Sequence, residues 1–240
     1  MPIDTSIIIC SYNRSNYIGR AIRSCLKQSL DKGRYETIVV DDASTDNTKD
    51  ILQGFGDKIV PVMLPRNVGV AEASNEGIRK ALGRFVIRVD SDDYINENTL
   101  LFMTEILDKN PDIGFVYADH LRVSEGEQVI ERVSLDTLDK LYKHGAGVMF
   151  RKSYLEAIGL YDPEFRNAED FDLLRRYIKQ FNGYHLRLPL YRYRIHDGNM
   201  TSDLEGRKKW EERSIEKNEN KTPSHTGDTF RHGQETAPQS

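Results

Sequence analysis

The chain has 240 residues, 38% of them apolar, with a formal net charge of -4 and two cysteines. That length suits one domain of ordinary size, or one domain with an appendage. Mild acidity and dispersed basic residues exclude nucleic acid as the expected partner, and no apolar run approaches the roughly 18 residues that a membrane-crossing helix needs.

In chain order, Ser6-Ile7-Ile8-Ile9-Cys10 reads as a strand, and Ile18, Ala21, Ile22, Cys25 and Leu26 then share one helix face. Glu36 to Val40 is a second strand ending at Asp41-Asp42, after which Thr45 or Asp46 caps a helix carrying Ile51 and Leu52. A third strand covers Lys58 to Met63, and a helix spans about Val70 to Leu82. The fourth strand, Arg84 to Val89, closes on Asp90-Ser91-Asp92-Asp93. Beyond it the pattern predicts a helix from Asn98 to Asp108 and a strand from Ile113 to Tyr117, then hairpin-like polar segments from Asp119 to Arg132. A glycine patch at Gly145-Ala146-Gly147, a helix from Ala168 to Gln180 and a last strand from Leu190 to Ile195 follow. From about Asp203 the composition turns charged, with only Leu204, Trp210, Ile215 and Phe230 to anchor it. A helix from Glu205 to Glu219 and a disordered tail are expected there.

This order predicts an α/β protein, its mostly parallel central sheet flanked by helices. The division expected is a domain over 1–202, with halves 1–95 and 96–202, and an appendage over 203–240. Cys10 in a strand and Cys25 on a helix face read as reduced thiols. The N-terminus, with Asp4 and only a brief apolar run, does not read as a secretory signal, and a cytoplasmic protein is expected.

Ligands of such sheets bind beyond the carboxyl ends of the strands. Three polar loops fall there: Ser11-Tyr12-Asn13-Arg14, Asp41-Asp42 and Asp90 to Asp93. The three carboxylates of the last loop repel one another and need cations or hydrogen-bond donors. A hard divalent metal shared with a phosphate-bearing substrate would satisfy them; so would a loop that caps the helix beginning near Asn96-Glu97-Asn98. Tyr12 offers a flat face for a nucleobase or is a half-buried loop aromatic. Asp42 reads a base-edge N–H or is a turn residue ahead of Ala43-Ser44.

Ser6 to Arg14 resembles the opening strand and loop of family 2 glycosyltransferases, and Val39-Val40-Asp41-Asp42-Ala43-Ser44-Thr45-Asp46 resembles that family's second signature. Arg66-Asn67-Val68-Gly69 with Ser74-Asn75-Glu76-Gly77 resembles its third block, and Val89 to Asp93 its Asp-x-Asp block. Ala168-Glu169-Asp170-Phe171-Asp172-Leu173 resembles the block that carries the catalytic base. The likeness runs in order from residue 5 to about 198. Ser74 departs from it, standing where an arginine is common, as does Cys10 in place of a small or hydroxyl residue.

The resemblance implies a GT-A fold and an inverting, metal-dependent transferase that moves a sugar from a nucleoside diphosphate, most often UDP, to a hydroxyl. Ser11, Tyr12, Arg14, Asp42, Asn67, Asp90, Ser91 and Arg194 would contact the donor, with 1–95 as the nucleotide-binding half. Asp92 would ligate Mg²⁺ or Mn²⁺, with Asp93 and His196 as further candidate ligands. Asp170, beside Glu169, would take the acceptor proton, and the helix dipole would favour its ionised form. Gly145 to Met149 would let a bulky sugar approach the backbone, and 119–143 would select the acceptor. That acceptor would be a saccharide or lipid-linked saccharide, in glycan or surface-polysaccharide synthesis, with peripheral membrane contact compatible. The competing reading is a catalytically silent nucleotide-sugar-binding module. A dinucleotide-dependent oxidoreductase is set aside because Ser11 to Ser15 lacks the glycines needed for close pyrophosphate approach. A nucleotidyltransferase fails for want of a glycine-rich, basic first loop.

Overall fold

The computed structural model describes residues 2–143, 145–199, 203–219 and 230–232. Its first strand, β1 (Thr5–Ser11), is buried at six of seven positions, as a strand with neighbours on both edges and helices on both faces must be. It pairs in parallel with β2 (Tyr35–Asp41) and with β4 (Phe85–Arg88), while β3 (Val60–Met63) continues the sheet beyond β2. β3 is mostly exposed and carries Pro61, which the edge of a sheet tolerates. The connections are α1 (Ser15–Leu26), α2 (Thr48–Gln53) and α3 (Val70–Lys80). Ser11 lies opposite Asp41, and Ile8 opposite Arg88, so the loops after β1, β2 and β4 leave the sheet on one rim.

The second half adds β5 (Tyr94–Ile95), α4 (Thr99–Lys109), β6 (Ile113–Val123), β7 (Val129–Val133), α5 (Leu138–Lys143), β8 (Met149–Arg151) and α6 (Lys152–Ala157). It closes with α7 (Glu169–Ile178), β9 (Asn182–Arg194), α8 (Leu204–Glu219) and β10 (Phe230–His232). The sheet order is β10-β9-β6-β8-β4-β1-β2-β3, with β5 on β9 and β7 on β6. β8 runs antiparallel to both β4 and β6. The sheet is therefore parallel in its first half and mixed in its second. Two apolar layers cover it: α1 and α4 supply Ile18, Ile22, Leu100 and Met103 on one face, and α3 and α7 supply Ala73, Ile78, Leu173 and Tyr177 on the other.

Two strands outrun their expected lengths. β6 continues past Tyr117 through Asp119 and His120, polar residues that are each 1% exposed. Asp119 is tolerated there because it accepts hydrogen bonds from His185, Arg132 and the Leu135 amide. β9 starts at Asn182, eight residues before the expected Leu190, because an irregularity at Ala118/Asp119 lets Pro189 sit inside the ladder.

α8 packs on α7 through polar contacts. Asp172, almost fully buried, accepts from Ser214 Oγ and Asn218 Nδ2, each at 2.9 Å, and from Arg176 at 2.8 Å. Lys217 reaches Asp162 and Glu164, and the Trp210 ring lies against Phe165. The side chains of Leu204 and Phe230, named above as anchors, lie outside the description. Three residues of the expected disordered tail pair with β9 as β10; the rest of that stretch falls outside the described residues. Among the described residues no helix is long and apolar enough to cross a membrane. Both cysteines are free.

Candidate active site

A cavity of about 430 Å³ opens at the rim shared by β1, β2 and β4. Its wall contains Ser11, Tyr12, Arg14, Asp42, Asn67, Asp90, Ser91 and Asp92, so eight of the candidate residues converge. Local hydrogen bonds shape the rim. Asn13 Oδ1 accepts from the Thr45 amide, and Asp46 accepts from the amides of Ser15 and Thr48, which ties the first two loops together. Asn13 and Ala43 take positive φ values of 53° and 63°; asparagine tolerates that region, but for alanine it is uncommon. Tyr12 is 45% exposed, leaving its ring open to the cavity. Ser11 Oγ is buried with no hydrogen-bond partner among the described residues, an unmet hydrogen bond that a ligand can supply.

Asp42 is committed to the scaffold. Its carboxylate accepts from the amides of Val68 (2.7 Å) and Gly69 (2.9 Å). Burial raises its pKa although those two amides oppose the shift. Gly69 has φ +88°, and a Cβ there would meet Arg166 Nη1 at 2.4 Å. Arg166 donates to Val68 O at 2.7 Å and enters the cavity wall. Ser74, by contrast, is buried, donates to Val70 O and does not line the cavity.

The acidic tetrad divides by direction. Asp90 and Asp92 face the cavity, and Ser91 lies between them. Asp93 turns away: it is 1% exposed, its Oδ2 accepts from Tyr191 Oη (2.8 Å) and its Oδ1 from the Arg194 amide (2.8 Å). Both oxygens are spent tying the turn to β9, so the expectation of Asp93 as a metal ligand is corrected. Asp93→Asn should lower stability by about 1–3 kcal/mol, the cost of spoiling a buried, satisfied acceptor, and leave ligand-induced stabilisation intact. Thermal melts with and without UDP measure both.

Arg194, expected to contact the donor, is 4% exposed, lines neither this cavity nor the adjoining one, and directs Nε, Nη1 and Nη2 to Asp92 O, Glu125 O and the Glu127 carboxylate, so that it braces the Asp-x-Asp turn. His196 stacks on Tyr17, and its Nδ1 accepts from the Gly198 amide. Its Nε2 lies 3.0 Å from Asp92 Oδ2, so the ring bears on that carboxylate and helps to orient it. Arg14 Nε lies 3.4 Å from the same oxygen.

A second cavity, of about 470 Å³, adjoins the first, and the two share Asp90 and Tyr193 in their walls. It is lined by Glu169 and Asp170 from the start of α7, entered through Ala168 at φ 59°. Arg88, 8% exposed, organises this wall. Its Nη1 donates to Glu169 (2.9 Å), its Nη2 donates to Asp170 Oδ2 (2.5 Å), and its Nε lies 3.2 Å from Asp90 Oδ1. Tyr161 Oη donates to Asp170 Oδ1 at 3.1 Å. Burial raises the Asp170 pKa, Arg88 pulls it back, and the Glu169 and Asp90 charges lift it again, to about 7. The helix dipole alone would have kept it lower.

The glycine patch serves packing. A Cβ on Gly145 would meet Asp170 Cβ at 2.8 Å, and one on Gly147 would meet the Tyr191 ring at 2.4 Å. Gly145 and Ala146 also line the second cavity, on the side where the acceptor was expected. Arg88, Tyr161 and Arg166 were not singled out from the sequence. Arg88 carried a signal, as the one charge inside an otherwise apolar strand, and buried charges are rare unless paired.

The architecture is that of GT-A glycosyltransferases. The model of glycosyl transferase family 2 matches residues 6–159, and the chain belongs to that family. An uncharacterized glycosyltransferase of Rickettsia typhi is 30% identical over 212 residues, covering 82% of this chain and 65% of its own length. The poly(ribitol-phosphate) beta-N-acetylglucosaminyltransferase TarS of Staphylococcus aureus is 30% identical over 177 residues, 69% of this chain but 30% of TarS. The chain thus spans less than two thirds of these relatives. The crystal structure of TarS 1–349 in complex with UDP-GlcNAc superposes with a TM-score of 0.72 at 27% identity, covering 83% of this chain and 61% of that one. A mannosyltransferase of Pyrobaculum calidifontis shares the fold, with a TM-score of 0.73 at 18% identity over 92% of this chain and 67% of its own.

Proposed function

We propose that the chain transfers a sugar from a UDP-sugar to a hydroxyl of a saccharide or lipid-linked saccharide, with inversion at the anomeric carbon, in the synthesis of a glycan or surface polysaccharide. The carrying observation is the pair of cavities that meet at Asp90 and Tyr193, one holding the Asp-x-Asp turn and the other the Asp170 carboxylate. Family membership and the UDP-GlcNAc complex of the TarS neighbour support the donor class. A silent binding module would have no use for a base held in the adjoining cavity. The two free thiols support a reducing, cytoplasmic setting.

In this reading residues 1–95 hold the donor, residues 96–202 supply base and acceptor wall, and α8 buttresses α7. Tyr12 stacks on the base, Ser11 Oγ donates to the nucleotide, and Arg14 and Arg166 flank the diphosphate. Asp42 acts through the loop it pins, by fixing Asn67 to Gly69. Asp170 accepts the proton of the attacking hydroxyl while Arg88 and Tyr161 hold its orientation. Tyr193, common to both cavities, separates bulk water from the reacting centre.

Among the described residues no three His, Cys, Asp or Glu side chains converge as a metal cage. Asp90 and Asp92 nevertheless suit Mg²⁺ or Mn²⁺, which are commonly held by one or two carboxylates with substrate phosphates completing the shell. Asp92, oriented by His196, and Asp90 would hold the ion, which when bound neutralises charge on the departing diphosphate. Asp92→Ala should abolish the extra rise in melting temperature that Mn²⁺ adds to UDP and reduce turnover to background. An undiminished metal-dependent rise in that variant would remove Asp92 from the metal site.

A further inference from the structure

A third concavity, of about 530 Å³, lies between α1, β5 and the end of β9 and shares no residue with the two cavities above. Arg20, Arg23, Lys27 and Arg192 line it against a single carboxylate, Glu97. Arg20 is engaged: it pairs with Glu127 at 3.0 Å and lies over the Tyr94 ring at 3.9 Å. Among the described residues, Arg23, Lys27 and Arg192 have no carboxylate within ion-pair distance, although ion pairs are common elsewhere on this chain.

Arg192 makes the case sharper. It is half-buried, and it hydrogen-bonds Pro189 O at 3.2 Å. Burial lowers its pKa, Tyr94 partly opposes this, and the neighbouring Arg20 charge adds a smaller lowering. Arg192 is thus a half-buried guanidinium with no carboxylate of its own among the described residues, beside an Arg20 whose pairing is taken up by Glu127, and an arriving anion would offset it. Arg20 and Arg23 on α1 and Lys27 at its C-cap follow one another at spacings of three and four, so that like charges are neighbours; the helix C-terminus favours Arg23 and Lys27 but supplies no counter-charge for the groove. A merely solvated face would alternate signs.

We propose that this groove binds a phosphate group, mono- or diester, carried either by an anionic lipid headgroup or by a soluble phosphate compound. Arginine forks match phosphate oxygens two at a time, and Lys27 adds a mobile point charge. Tyr94 and Ile95 give the groove an apolar floor for the organic part of the ligand. The site is independent of the donor reading, because none of its residues touches either cavity of the active site.

The test uses the full chain and the double variant Arg23→Glu/Lys27→Glu, Arg23 on α1 and Lys27 at its C-cap both being exposed. Two probes are applied at low salt: inorganic phosphate by calorimetry, and flotation with vesicles of phosphatidylglycerol and phosphatidylcholine in equal parts, against phosphatidylcholine alone. The wild type should bind at least one anionic probe, and the variant should bind it more than about tenfold more weakly. Its UDP-induced rise in melting temperature should be unchanged, which separates this site from the donor cavity and certifies the fold. Vesicle capture lost in the variant assigns a lipid source; phosphate binding lost without vesicle capture assigns a soluble one. A wild type that binds neither probe, or a variant that binds as tightly as wild type, overturns the proposal.

Discussion

Asp170→Asn should reduce kcat by roughly 10²- to 10⁴-fold, the usual contribution of a general base, and leave UDP-induced stabilisation as in wild type. The split follows from placement: Asp170 lines the second cavity and is absent from the wall of the first. The pH dependence has a definite sign. Asp170 acts as a base only when ionised, and its environment raises it to about 7. The wild-type kcat/KM should therefore climb as pH rises towards about 7 and then level. Stability moves the other way. A carboxyl raised above its unfolded value of 3.8 contributes its stabilisation fully below that value, and loses it as pH rises through about 7. The Asn variant lacks this titration, so its melting temperature should gain on wild type between about pH 5 and pH 8. Initial rates of UDP release and thermal melts across that range measure both effects. Full turnover by the Asn variant would move the base elsewhere.

Arg88→Met should destabilise the fold by about 3–5 kcal/mol, because removing one partner of a buried ion cluster leaves the others uncompensated. Three carboxylates depend on this guanidinium, those of Asp90, Glu169 and Asp170. Without it the Asp170 pKa should climb further, so that turnover is lost at neutral pH and partly regained at higher pH. Glu169→Gln, added to Arg88→Met, removes one uncompensated charge and should restore part of the stability. Urea melts of the single and double variants give the coupling. If Arg88→Met melted like wild type, the cluster would not be the organising feature of this wall.

Much of the donor half was legible from local pattern. β1, β2 and β4 are short β-branched runs ended by polar turns, and α1 and α3 carry their apolar residues at helical spacing. A mostly parallel sheet flanked by helices then followed from the alternation of strands and helices. The second half resisted for a physical reason. β6 buries Asp119 and His120, and β9 admits Pro189 through an irregularity, so neither shows the apolar signature of an interior strand. β8 is only three residues long. Its antiparallel place between β4 and β6 is set by pairing over a long sequence separation.

The site divides in the same way. The family resemblance implied roles for Ser11, Tyr12, Arg14, Asp42, Asn67, Asp90, Ser91, Asp92, Glu169 and Asp170, and all ten lie in the walls of the two cavities. The direction of each side chain was not legible. Asp92 and Asp93 are adjacent, yet one faces the cavity while the other faces β9, because Tyr191 Oη and the Arg194 amide wait on that side. His196 was legible as a candidate ligand just past the last strand, but the sequence did not show that its Nε2 would lie 3.0 Å from Asp92 Oδ2.

What the sequence by itself determined is the rim: which strands end in acids, in what order, and on which side of a parallel sheet they emerge. What only the tertiary structure decided is the role of each polar group at that rim. A carboxylate's chemistry is set by its hydrogen-bond donors and its burial, and here the decisive partners (Arg88 for Asp170, His196 for Asp92, Tyr191 for Asp93) come from other elements of the fold.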